Sequence, residues 1–520
     1  MNGFILTLAL LLVCSLAHAQ SPPSDLTAQC KKLETTDFSH IQDAPTQVLE
    51  AKLAPAGNDF PALCHVQGYV NPNVGIELLL PIENWNGKVI QIGCGGFCGI
   101  NSAGGNGCRD ALSKGYACVG SDGGHKASGL DAKWAYNNLQ AKIDYAYRGV
   151  HVAGLAGKAI AREFYQTPFK RAYFMGCSGG GREAMLEAQR YPSDFDGIVA
   201  MDPAINLSSV FMSLLWNNLV VKDKSGQGLI GPAEVRALHA AVVAKCDLND
   251  GVKDGLIGDP RSCNFDPAEI ACTSAKTTGC LTPAQLAAAR KVYAGPATSS
   301  GEKITKGGAM LGSEVGGVFG MDAYDVGLHN SAVANFAADF FRYMGFTPDP
   351  GPGWQPTDFD FDRDYKRLGM MESLYRATNP DLRAFKARGG KLIVSQGWYD
   401  SGSPMPLETV DYYETVERTM GGEKSTHDFF RLFMVPGRDH CGGGDGAWAV
   451  DYLSYLEAWV ESNRPPDVML GSHPKDANVK YPIDSGAVQF SRPLYPYPLR
   501  AQYTGRGDPN NAANFAAKKP

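Results

Sequence analysis

Between residues 88 and 201 the sequence alternates between short apolar runs and segments with apolar residues at helical spacing. The apolar runs are those expected of buried strands, and they cover residues 88–93, 115–121, 171–175 and 197–201. The segments with helical spacing are residues 141–164 and 182–190. Because strands that alternate with helices favour a parallel sheet covered on both faces, this part of the chain predicts an α/β fold.

The alternation is interrupted after residue 203. Residues 204–385 carry two closely spaced cysteine pairs, an acidic glycine-rich loop and many aromatic residues. Apolar runs typical of strands return at residues 391–395 and 430–435. A sheet interrupted by so long a segment implies an inserted domain, and insertions commonly lie on surface loops beside active sites. We therefore expect one core made of residues 20–203 and 386–520, with a lid made of residues 204–385.

The first 19 residues are typical of a secretory signal. Residues 4–16 form an apolar run too short to span a bilayer, followed by Ala17, His18 and Ala19, a small-x-small cleavage pattern. A lipid anchor at Cys14 is an alternative, but Val13 before it is too large for that kind of signal. We therefore expect the mature chain to be secreted or periplasmic.

Of the 13 cysteines all but Cys14 follow the predicted signal, and this even number in an exported chain predicts six disulfides. The cysteines concerned are Cys30, Cys64, Cys94, Cys98, Cys108, Cys118, Cys177, Cys246, Cys263, Cys272, Cys280 and Cys441. Close spacing suggests two local loops, one at residues 246–263 and one at 272–280, and the other pairings stay open. A zinc site at Cys94 and Cys98 is disfavoured, because no second cysteine or histidine pair of suitable spacing accompanies them.

Composition excludes several classes of protein. The 48 basic and 54 acidic residues give a net charge of −6, without the basic excess of a nucleic-acid-binding protein. Hydrophobic residues make up 44% and charged residues 20% of the chain, which excludes long disordered regions. After the signal, no apolar run approaches the roughly 18 residues of a membrane-spanning helix. We expect a small-molecule partner, no nucleic acid and no membrane, and the sequence predicts no particular oligomeric state.

Ser178 lies in the sequence Gly176-Cys177-Ser178-Gly179-Gly180, which matches the G-x-S-x-G motif. It follows a predicted strand and opens a predicted helix, as expected of the nucleophile of an α/β-hydrolase. The flanking glycines suit a sharp turn, and the helix N-terminus presents N–H groups to developing negative charge. A phosphate-binding loop is the alternative, but no lysine follows at the required position. Cys177 is a competing nucleophile, disfavoured because a cysteine held in a disulfide cannot attack an ester.

Two later residues complete the order of nucleophile, acid and histidine expected of such a hydrolase. Asp400 follows the first of the two late predicted strands, and His440 follows the second. Both positions are carboxyl ends of strands, where parallel sheets place their chemistry. Asp439 adjoins His440 and is interpreted as structural. His125 precedes the serine in sequence, which fits a role in shaping a loop.

Cysteines adjoin both the predicted nucleophile and the predicted histidine, since Cys177 precedes Ser178 and Cys441 follows His440. In this respect the chain resembles the tannase and feruloyl esterase family, in which a disulfide joins the neighbours of the catalytic serine and histidine. The resemblance covers nearly the whole mature chain, from the glycine-rich loop at residues 93–99 to the histidine. It implies an α/β-hydrolase fold with a large inserted lid domain, a triad of Ser178, Asp400 and His440, and a Cys177–Cys441 bridge that braces the triad.

Acyl transfer also needs two N–H donors for the oxyanion. Gly179, the residue after the nucleophile, is expected to supply one, and the loop after the early strand the other. In that loop Gly95 or Gly96 fits, and the sequence does not choose between them. The alternative is that this loop is only a tight turn.

Three carboxylates lie close together in the insertion, at Asp247, Asp250 and Asp254. Carboxylates so near one another repel unless a cation or wide solvation intervenes, and oxygen ligands suit Ca²⁺. The EF-hand spacing is absent, and a solvated Asx turn is the alternative. The family resembled here binds calcium in its lid, which implies these three ligands together with the carbonyls of Val252 and Leu256. The ion would hold the lid and take no part in the chemistry.

Together these expectations describe a serine esterase that acts through an acyl-enzyme. The resemblance implies esters of aromatic acids, such as gallate, ferulate and other hydroxycinnamates, or terephthalate monoesters. We expect the lid to supply the acid pocket, with Trp354, Phe346 and Tyr365 as candidate walls, although the same residues suit the core of the lid. Two alternatives are a hydrolase fold that binds phenolic or glycan ligands without catalysis, and a peptidase.

Overall fold

A computed structural model describes residues 26–57, 60–103, 108–315, 332–400, 405–477, 479, 481 and 483–520. The predicted secretory signal and Cys14 lie outside these residues. The other twelve cysteines and all predicted site residues lie within them.

Strands in the described part of the chain form one large sheet and two small ones. They are β1 (Thr46–Ala54), β2 (Leu63–Val70), β3 (Val74–Pro81), β4 (Lys88–Ile92), β5 (Ala117–Ser121), β6 (Arg171–Cys177), β7 (Gly197–Met201), β8 (Lys391–Gly397), β9 (Phe430–Val435), β10 (Met469–Pro474), β11 (Val488–Leu494), β12 (Arg500–Tyr503) and β13 (Phe515–Lys518). The large sheet has the order β1-β2-β3-β5-β4-β6-β7-β8-β9, while β10 pairs with β11 and β12 with β13.

The large sheet is mostly parallel. Strands β5, β4, β6, β7, β8 and β9 run parallel to one another, whereas β1, β2 and β3 extend one edge in antiparallel order. This arrangement confirms the predicted α/β fold. The carboxyl ends of the parallel strands meet at one edge of the sheet, so the loops that follow β4, β6, β8 and β9 lie along that edge.

Helices occupy both faces of the sheet and the segment between β7 and β8. They are α1 (Leu26–Lys32), α2 (Arg109–Ser113), α3 (Leu139–Ile143), α4 (Gly149–Tyr165), α5 (Gly179–Arg190), α6 (Leu207–Val220), α7 (Pro232–Cys246), α8 (Pro283–Ala294), α9 (Ala332–Tyr343), α10 (Asp364–Arg367), α11 (Gly369–Tyr375), α12 (Arg383–Ala387), α13 (Met405–Met420), α14 (Glu423–His427) and α15 (Tyr452–Ser462). The helix expected at residues 141–164 corresponds to α3 and α4, which a π-helical segment, Asp144–Arg148, joins.

Successive side chains of the central strands pack against different helical layers, as the two-residue period of a strand requires. On β6, Phe174 shares a buried cluster with Met185 of α5 and Val416 of α13. The preceding residue, Tyr173, belongs to a cluster on the other face that includes Leu456 of α15. The central strands are therefore buried on both sides, as their continuous apolar sequence predicts.

Helices α6 to α12 separate β7 from β8, and no strand is assigned among them in the described residues. Their core is aromatic: the ring of Phe211 stacks on Phe340 with 4.4 Å between centroids. Phe336 lies 4.4 Å from Phe97, which belongs to the loop after β4. This helical segment is thus packed directly against a loop at the carboxyl edge of the sheet.

The three aromatic residues named as candidate pocket walls belong to this helical segment. Phe346 is 2% exposed within its aromatic core. Trp354 and Tyr365 are partly buried and pack against the same core. The contacts of all three are therefore those of core residues.

Six disulfides join the twelve described cysteines, and they are Cys30–Cys64, Cys94–Cys98, Cys108–Cys118, Cys177–Cys441, Cys246–Cys263 and Cys272–Cys280. The two local loops expected from spacing are both closed in this way. Six bridges are typical of a chain that folds in an oxidising compartment. A helix with the length and apolar character needed to cross a membrane is absent from the described part of the chain.

Candidate active site

Ser178 lies at the turn between β6 and α5, at the carboxyl edge of the sheet. Its backbone has φ 61° and ψ −119°, a strained conformation for a residue with a side chain. The turn is so tight that a Cβ at Gly176 would lie 2.3 Å from the carbonyl oxygen of Gly180. The glycine at 176 is therefore required, and the strain is the kind found at the nucleophile of hydrolases with this motif.

Asp400 and His440 meet at the same edge of the sheet. Asp400 follows β8 and His440 follows β9, and Nδ1 of His440 lies 3.0 Å from Oδ1 of Asp400. The Asp400 carboxylate is fully buried, and its Oδ2 accepts a hydrogen bond of 2.8 Å from Nε2 of Gln396. The structure thus brings together an acid and a histidine that are 40 residues apart in sequence.

Burial and charge set the proton affinity of this pair. Burial raises the pKa of Asp400, an effect that the neighbouring histidine opposes. Burial alone would lower the pKa of His440, but the Asp400 carboxylate outweighs it and the pKa is raised above its ordinary value. The Asp400 carboxylate thus holds Nδ1 of His440 and makes the imidazole a stronger base. A histidine that acts as a general base requires such a partner.

A disulfide ties together the loops that carry Ser178 and His440. Cys177 and Cys441 are bonded across a sequence separation of 264, with 5.7 Å between their Cα atoms. Cys177 directly precedes Ser178, and Cys441 directly follows His440. The positions of the serine and the histidine are therefore linked covalently as well as by packing.

Gly179 and the loop after β4 are in contact. A Cβ at Gly179 would lie 2.8 Å from the carbonyl oxygen of Gly96 and 3.1 Å from that of Cys94. Gly95 faces open space, since a Cβ there would meet no atom within 4 Å. The two regions expected to supply oxyanion donors are therefore adjacent, and both Gly95 and Gly96 lie at the tip of the loop.

Two further residues in this region, Asp202 and Arg438, were not predicted from sequence. Asp202 follows β7 and is fully buried; its Oδ1 accepts a 2.7 Å hydrogen bond from Nη2 of Arg438. The same oxygen accepts from the backbone N–H of Gly397 at 2.7 Å, and Oδ2 accepts from that of Cys441 at 3.0 Å. One carboxylate therefore holds the loops that carry both Asp400 and His440.

The signal for Asp202 was present in the sequence but weak. Like Asp400 it follows an apolar strand of the parallel sheet, and Arg438 lies two residues before His440. Only the pairing of these two residues, 236 apart, distinguishes them from ordinary loop residues.

His125 lies against the loop after β4. Its Nε2 is 2.8 Å from the carbonyl oxygen of Phe97, and its ring stacks on Trp134 with 3.6 Å between centroids. Burial lowers the pKa of His125 to about 4, so the ring is neutral and Nε2–H donates to the carbonyl. This contact fits the loop-shaping role expected from sequence. Asp439 takes part in its own loop, where its N–H donates to the carbonyl of Gly443 at 3.3 Å.

The acidic loop after α7 has the donor types of a calcium site. Burial raises the pKa of Asp250 to about 7, and the charges of Asp254 and Asp247 add to that effect. The carbonyl oxygens of Val252 and Leu256 accept no hydrogen bond from another described residue. Carboxylates that repel one another, and carbonyl oxygens that accept no hydrogen bond from the described residues, both suit a hard divalent cation.

Backbone and side-chain donors engage the same carboxylates. Oδ1 of Asp247 accepts from the N–H groups of Asp254 and Gly255 at 3.1 and 3.0 Å. Asp254 also pairs with Arg492 at 2.5 Å. The carboxylate oxygens of Asp247, Asp250 and Asp254 do not all lie within 4.8 Å of one another. A calcium ion would therefore have to draw these side chains together. The donor types fit the ion by chemistry, and Asp247, Asp250 and Asp254 with the carbonyls of Val252 and Leu256 are the groups that would hold it.

Comparison with known proteins identifies the family. Residues 59–518 match the family described as tannase and feruloyl esterase. The chain is 33% identical over 548 residues to an uncharacterized esterase of Xanthomonas campestris pv. campestris. That alignment covers 96% of this chain and 91% of the esterase. It is also 33% identical over 567 residues to the mono(2-hydroxyethyl) terephthalate hydrolase of Piscinibacter sakaiensis, with 95% and 92% covered.

Solved structures share the fold. The crystal structure of feruloyl esterase B from Aspergillus oryzae superposes with a TM-score of 0.79 at 24% identity, covering 95% of this chain and 100% of that one. Because the family match includes most of the chain and both relatives align along nearly their whole length, this chain belongs to the tannase and feruloyl esterase family of carboxylic ester hydrolases.

Proposed function

We propose that this chain hydrolyses esters of aromatic acids through an acyl-enzyme formed on Ser178. The observation that carries the proposal is the link between two loops: the residue before Ser178 is bonded to the residue after His440, and His440 pairs with buried Asp400. Enzymes that catalyse acyl transfer commonly use a serine, a histidine and an acid arranged in this way, with N–H donors nearby.

Each residue has a defined part in the reaction. The Oγ of Ser178 attacks the ester carbonyl while His440 takes its proton, and the same proton passes to the leaving alcohol. Asp400 keeps His440 in the required orientation and stabilises its protonated form. The N–H of Gly179 and that of Gly95 or Gly96 stabilise the oxyanion. Water then attacks the acyl-enzyme by the same steps and releases the acid.

The substrate class is proposed from the family and from two named relatives. One structural neighbour is a feruloyl esterase, and one sequence relative is a mono(2-hydroxyethyl) terephthalate hydrolase. Both names denote esters of acids with an aromatic ring. We propose hydroxycinnamate and gallate esters as the main substrates and terephthalate monoesters as a second candidate, favoured by the 33% identity to the second relative.

A panel of esters tests the substrate class. Methyl ferulate, methyl gallate, chlorogenate and a terephthalate monoester are compared with methyl hexanoate, using wild type, Ser178→Ala, and Ser225→Ala as a matched exposed serine. We expect at least one aromatic ester to exceed the aliphatic ester in kcat/KM by at least about tenfold, or about 1.4 kcal/mol of transition-state binding. Preference for methyl hexanoate would contradict the aromatic class.

Catalysis by Ser178 is tested separately from substrate choice. A fluorophosphonate probe should label Ser178 in wild type and leave the Ser178→Ala variant unlabelled, whereas Ser225→Ala should label normally. Absence of labelling together with tight binding of phenolic ligands would favour the non-catalytic binding function. Cleavage of peptides at rates similar to esters would favour a peptidase.

We further propose that calcium holds the acidic loop after α7, and that residues 204–385 act as a lid. The donor types of the acidic loop support the ion, and the packing of the aromatic core against Phe97 supports the lid.

Removal of the ion tests the calcium site. Treatment with EDTA should lower the unfolding temperature, and added Ca²⁺ should restore it. Asp250→Asn should abolish this response, while Asp223→Asn, in another acidic turn of the insertion, should preserve it. Elemental analysis that finds no divalent ion in calcium-dialysed protein would contradict the site.

We also propose that the mature chain is secreted or periplasmic. The six disulfides support export, because such bridges persist in oxidising compartments. Cell fractionation should recover the protein outside the cytoplasm with an N-terminus near Gln20. Recovery of the full-length chain in the cytoplasm would contradict export.

A further inference from the structure

A small disulfide-closed ring forms the loop after β4. Cys94 and Cys98 are bonded at a sequence separation of 4, with 5.2 Å between their Cα atoms. The ring encloses Gly95, Gly96 and Phe97, and thus both candidate oxyanion donors. A five-residue segment with two glycines would sample many backbone conformations in an open chain, so closing it removes much of that freedom.

The base of the ring is attached to the helix that begins at the nucleophile. The backbone N–H of Cys94 donates to Oε2 of Glu183 at 2.9 Å, and Oε1 of the same carboxyl lies 3.2 Å from Sγ of Cys94. Glu183 belongs to α5 and is 2% exposed. One buried carboxyl therefore connects the first residue of the ring to the helix that follows Ser178.

The rest of the ring is fixed through its backbone. The N–H of Phe97 donates to the carbonyl of Gly129 at 2.7 Å, and that of Cys98 to the carbonyl of Gly95 at 2.9 Å. The phenol of Tyr145 donates to the carbonyl of Gly96 at 3.1 Å.

These contacts leave two donors at the tip. Within the part of the chain that the structure describes, the N–H groups of Gly95 and Gly96 donate to no protein acceptor, while those of Cys94, Phe97 and Cys98 all do. Gly96 is also the residue whose carbonyl approaches Gly179. The ring therefore presents its only uncommitted N–H groups beside the residue that follows the nucleophile.

We propose that the Cys94–Cys98 disulfide and Glu183 are positioning residues for the oxyanion, acting through the N–H groups of Gly95 and Gly96. This inference rests on the proposed acyl transfer at Ser178. Donors aimed at an oxyanion act mainly on the transition state, because the charge they stabilise is only partial in the bound ester. Loss of the ring should therefore lower kcat and leave KM nearly unchanged.

The test compares two double variants. Cys94→Ser/Cys98→Ser opens the ring, and Cys108→Ser/Cys118→Ser opens another short bridge, of sequence separation 10, outside the loop. We expect the first to lower kcat about 10²-fold, the effect typical of one lost oxyanion donor, with KM changed less than about threefold. We expect the second to keep kcat within about twofold of wild type.

A second readout separates positioning from general loosening. A trifluoromethyl ketone analogue of the substrate forms a tetrahedral oxyanion on the serine, whereas the free carboxylic acid product binds without one. In the Cys94→Ser/Cys98→Ser variant, the affinity for the ketone should fall in parallel with kcat/KM, and the affinity for the acid should stay near that of wild type. Equal losses for both ligands, or equal losses of kcat in both double variants, would overturn the proposal.

Glu183 gives an independent test if the double variant fails to fold. Glu183→Leu removes the acceptor for Cys94 N–H and should lower kcat without raising KM. Glu183→Gln retains an acceptor oxygen and should restore most of that kcat. Equal kcat in the Leu variant and wild type would overturn the role of Glu183. If Ser178→Ala remained active, the proposed function would be wrong. If Ser178→Ala were inactive but the variants that open the ring kept the kcat of wild type, only this inference would be refuted.

Discussion

Asp202 and Arg438 form a fully buried ion pair, with Nη2 and Oδ1 2.7 Å apart, which joins the loop after β7 to the loop that carries His440. The amide of Gln396 donates to both Asp202 and Asp400, at 3.1 and 2.8 Å. Nη1 of Arg438 donates to the hydroxyl of Tyr452 at 2.6 Å. The orientation of Asp400 therefore depends on a charged network that extends from β7 to α15.

Removing one member of this pair should destabilise the protein strongly. Asp202→Asn leaves the Arg438 charge buried without its partner, and breaking a buried pair in this way typically costs about 3–5 kcal/mol. Urea denaturation should show that loss, and kcat should fall because Gly397, Gln396 and Cys441 lose a charged acceptor.

The pair Arg431–Asp467 provides the control. The Asp467 side chain is 82% exposed, so Asp467→Asn should cost less than about 1 kcal/mol. The double variant Asp202→Asn/Arg438→Met should recover part of the stability lost in the single variant, since no unpaired charge remains. Equal costs at Asp202 and Asp467 would show that the buried network contributes no more than a surface pair.

The pH dependence of kcat/KM should follow His440. The histidine must be neutral to accept the serine proton, and Asp400 raises its pKa above 6.5. Activity should therefore rise with pH through an apparent pKa above 6.5 and level off once the ring is neutral. Asp400→Asn should lower kcat by about 10⁴-fold and shift the rise of the remaining kcat/KM to lower pH.

Asp439→Asn changes the residue next to the histidine and should leave the rise of kcat/KM at the same pH as in wild type. If it shifted that rise as much as Asp400→Asn does, Asp439 would be the acid that pairs with His440.

The elements predicted well from sequence are those whose signal is local. Ser178 is marked by its motif between a strand and a helix, and Asp400 and His440 each follow an apolar strand of the parallel sheet. Because parallel strands end at one edge, three positions far apart in sequence could be assigned to one place. The bridge between Cys177 and Cys441 followed from the family resemblance rather than from spacing.

Other features depend on contacts that no local pattern encodes. Strand β3 (Val74–Pro81) is buried at every position, yet its antiparallel place beside β5 follows from tertiary pairing. The Cys94–Cys98 bridge stays open at the level of sequence, because cysteine spacing does not fix how the cysteines pair. Glu183 lies on a helix face that looks ordinary in sequence, and only the loop packed above it gives the residue a role.

The bridge between Cys177 and Cys441 should matter for both stability and activity. Closing a loop of 264 residues is worth about 5.6 kcal/mol in the chain-entropy account, and the loss should be similar in Cys177→Ala, Cys441→Ala and the double variant. Activity should fall in all three, since the serine and histidine loops lose their covalent link. Cys272→Ala/Cys280→Ala opens a bridge of sequence separation 8 in the insertion and should keep kcat near wild type. Denaturant unfolding and ester hydrolysis measure these effects; a free Cys177 thiol in native protein would contradict the bridge.

Glu183 links the loop after β4 to the pH dependence of stability. Burial raises the pKa of Glu183 to about 7 in the folded protein, and this outweighs the opposing charge of Arg182 and the hydrogen bond from Cys94. In the unfolded chain a glutamate titrates near 4.5. Between these two values the folded state binds more protons than the unfolded state. The free energy of unfolding therefore falls as pH rises from about 4.5 to about 7.

Glu183→Gln should remove that dependence, because glutamine keeps an acceptor for the Cys94 N–H and carries no charge. The variant should match wild type near pH 4.5 and become more stable than wild type as pH rises, by about 3 kcal/mol above pH 7. Urea denaturation at several pH values from 4.5 to 8 measures the difference directly. Exposed Glu302 supplies the control, since Glu302→Gln makes the same replacement at the surface of the insertion, away from the loop after β4. A Glu183→Gln difference that stays constant across this range would mean that the pKa of Glu183 is the same in the folded and unfolded states, and that the carboxyl under the loop after β4 carries a charge at neutral pH.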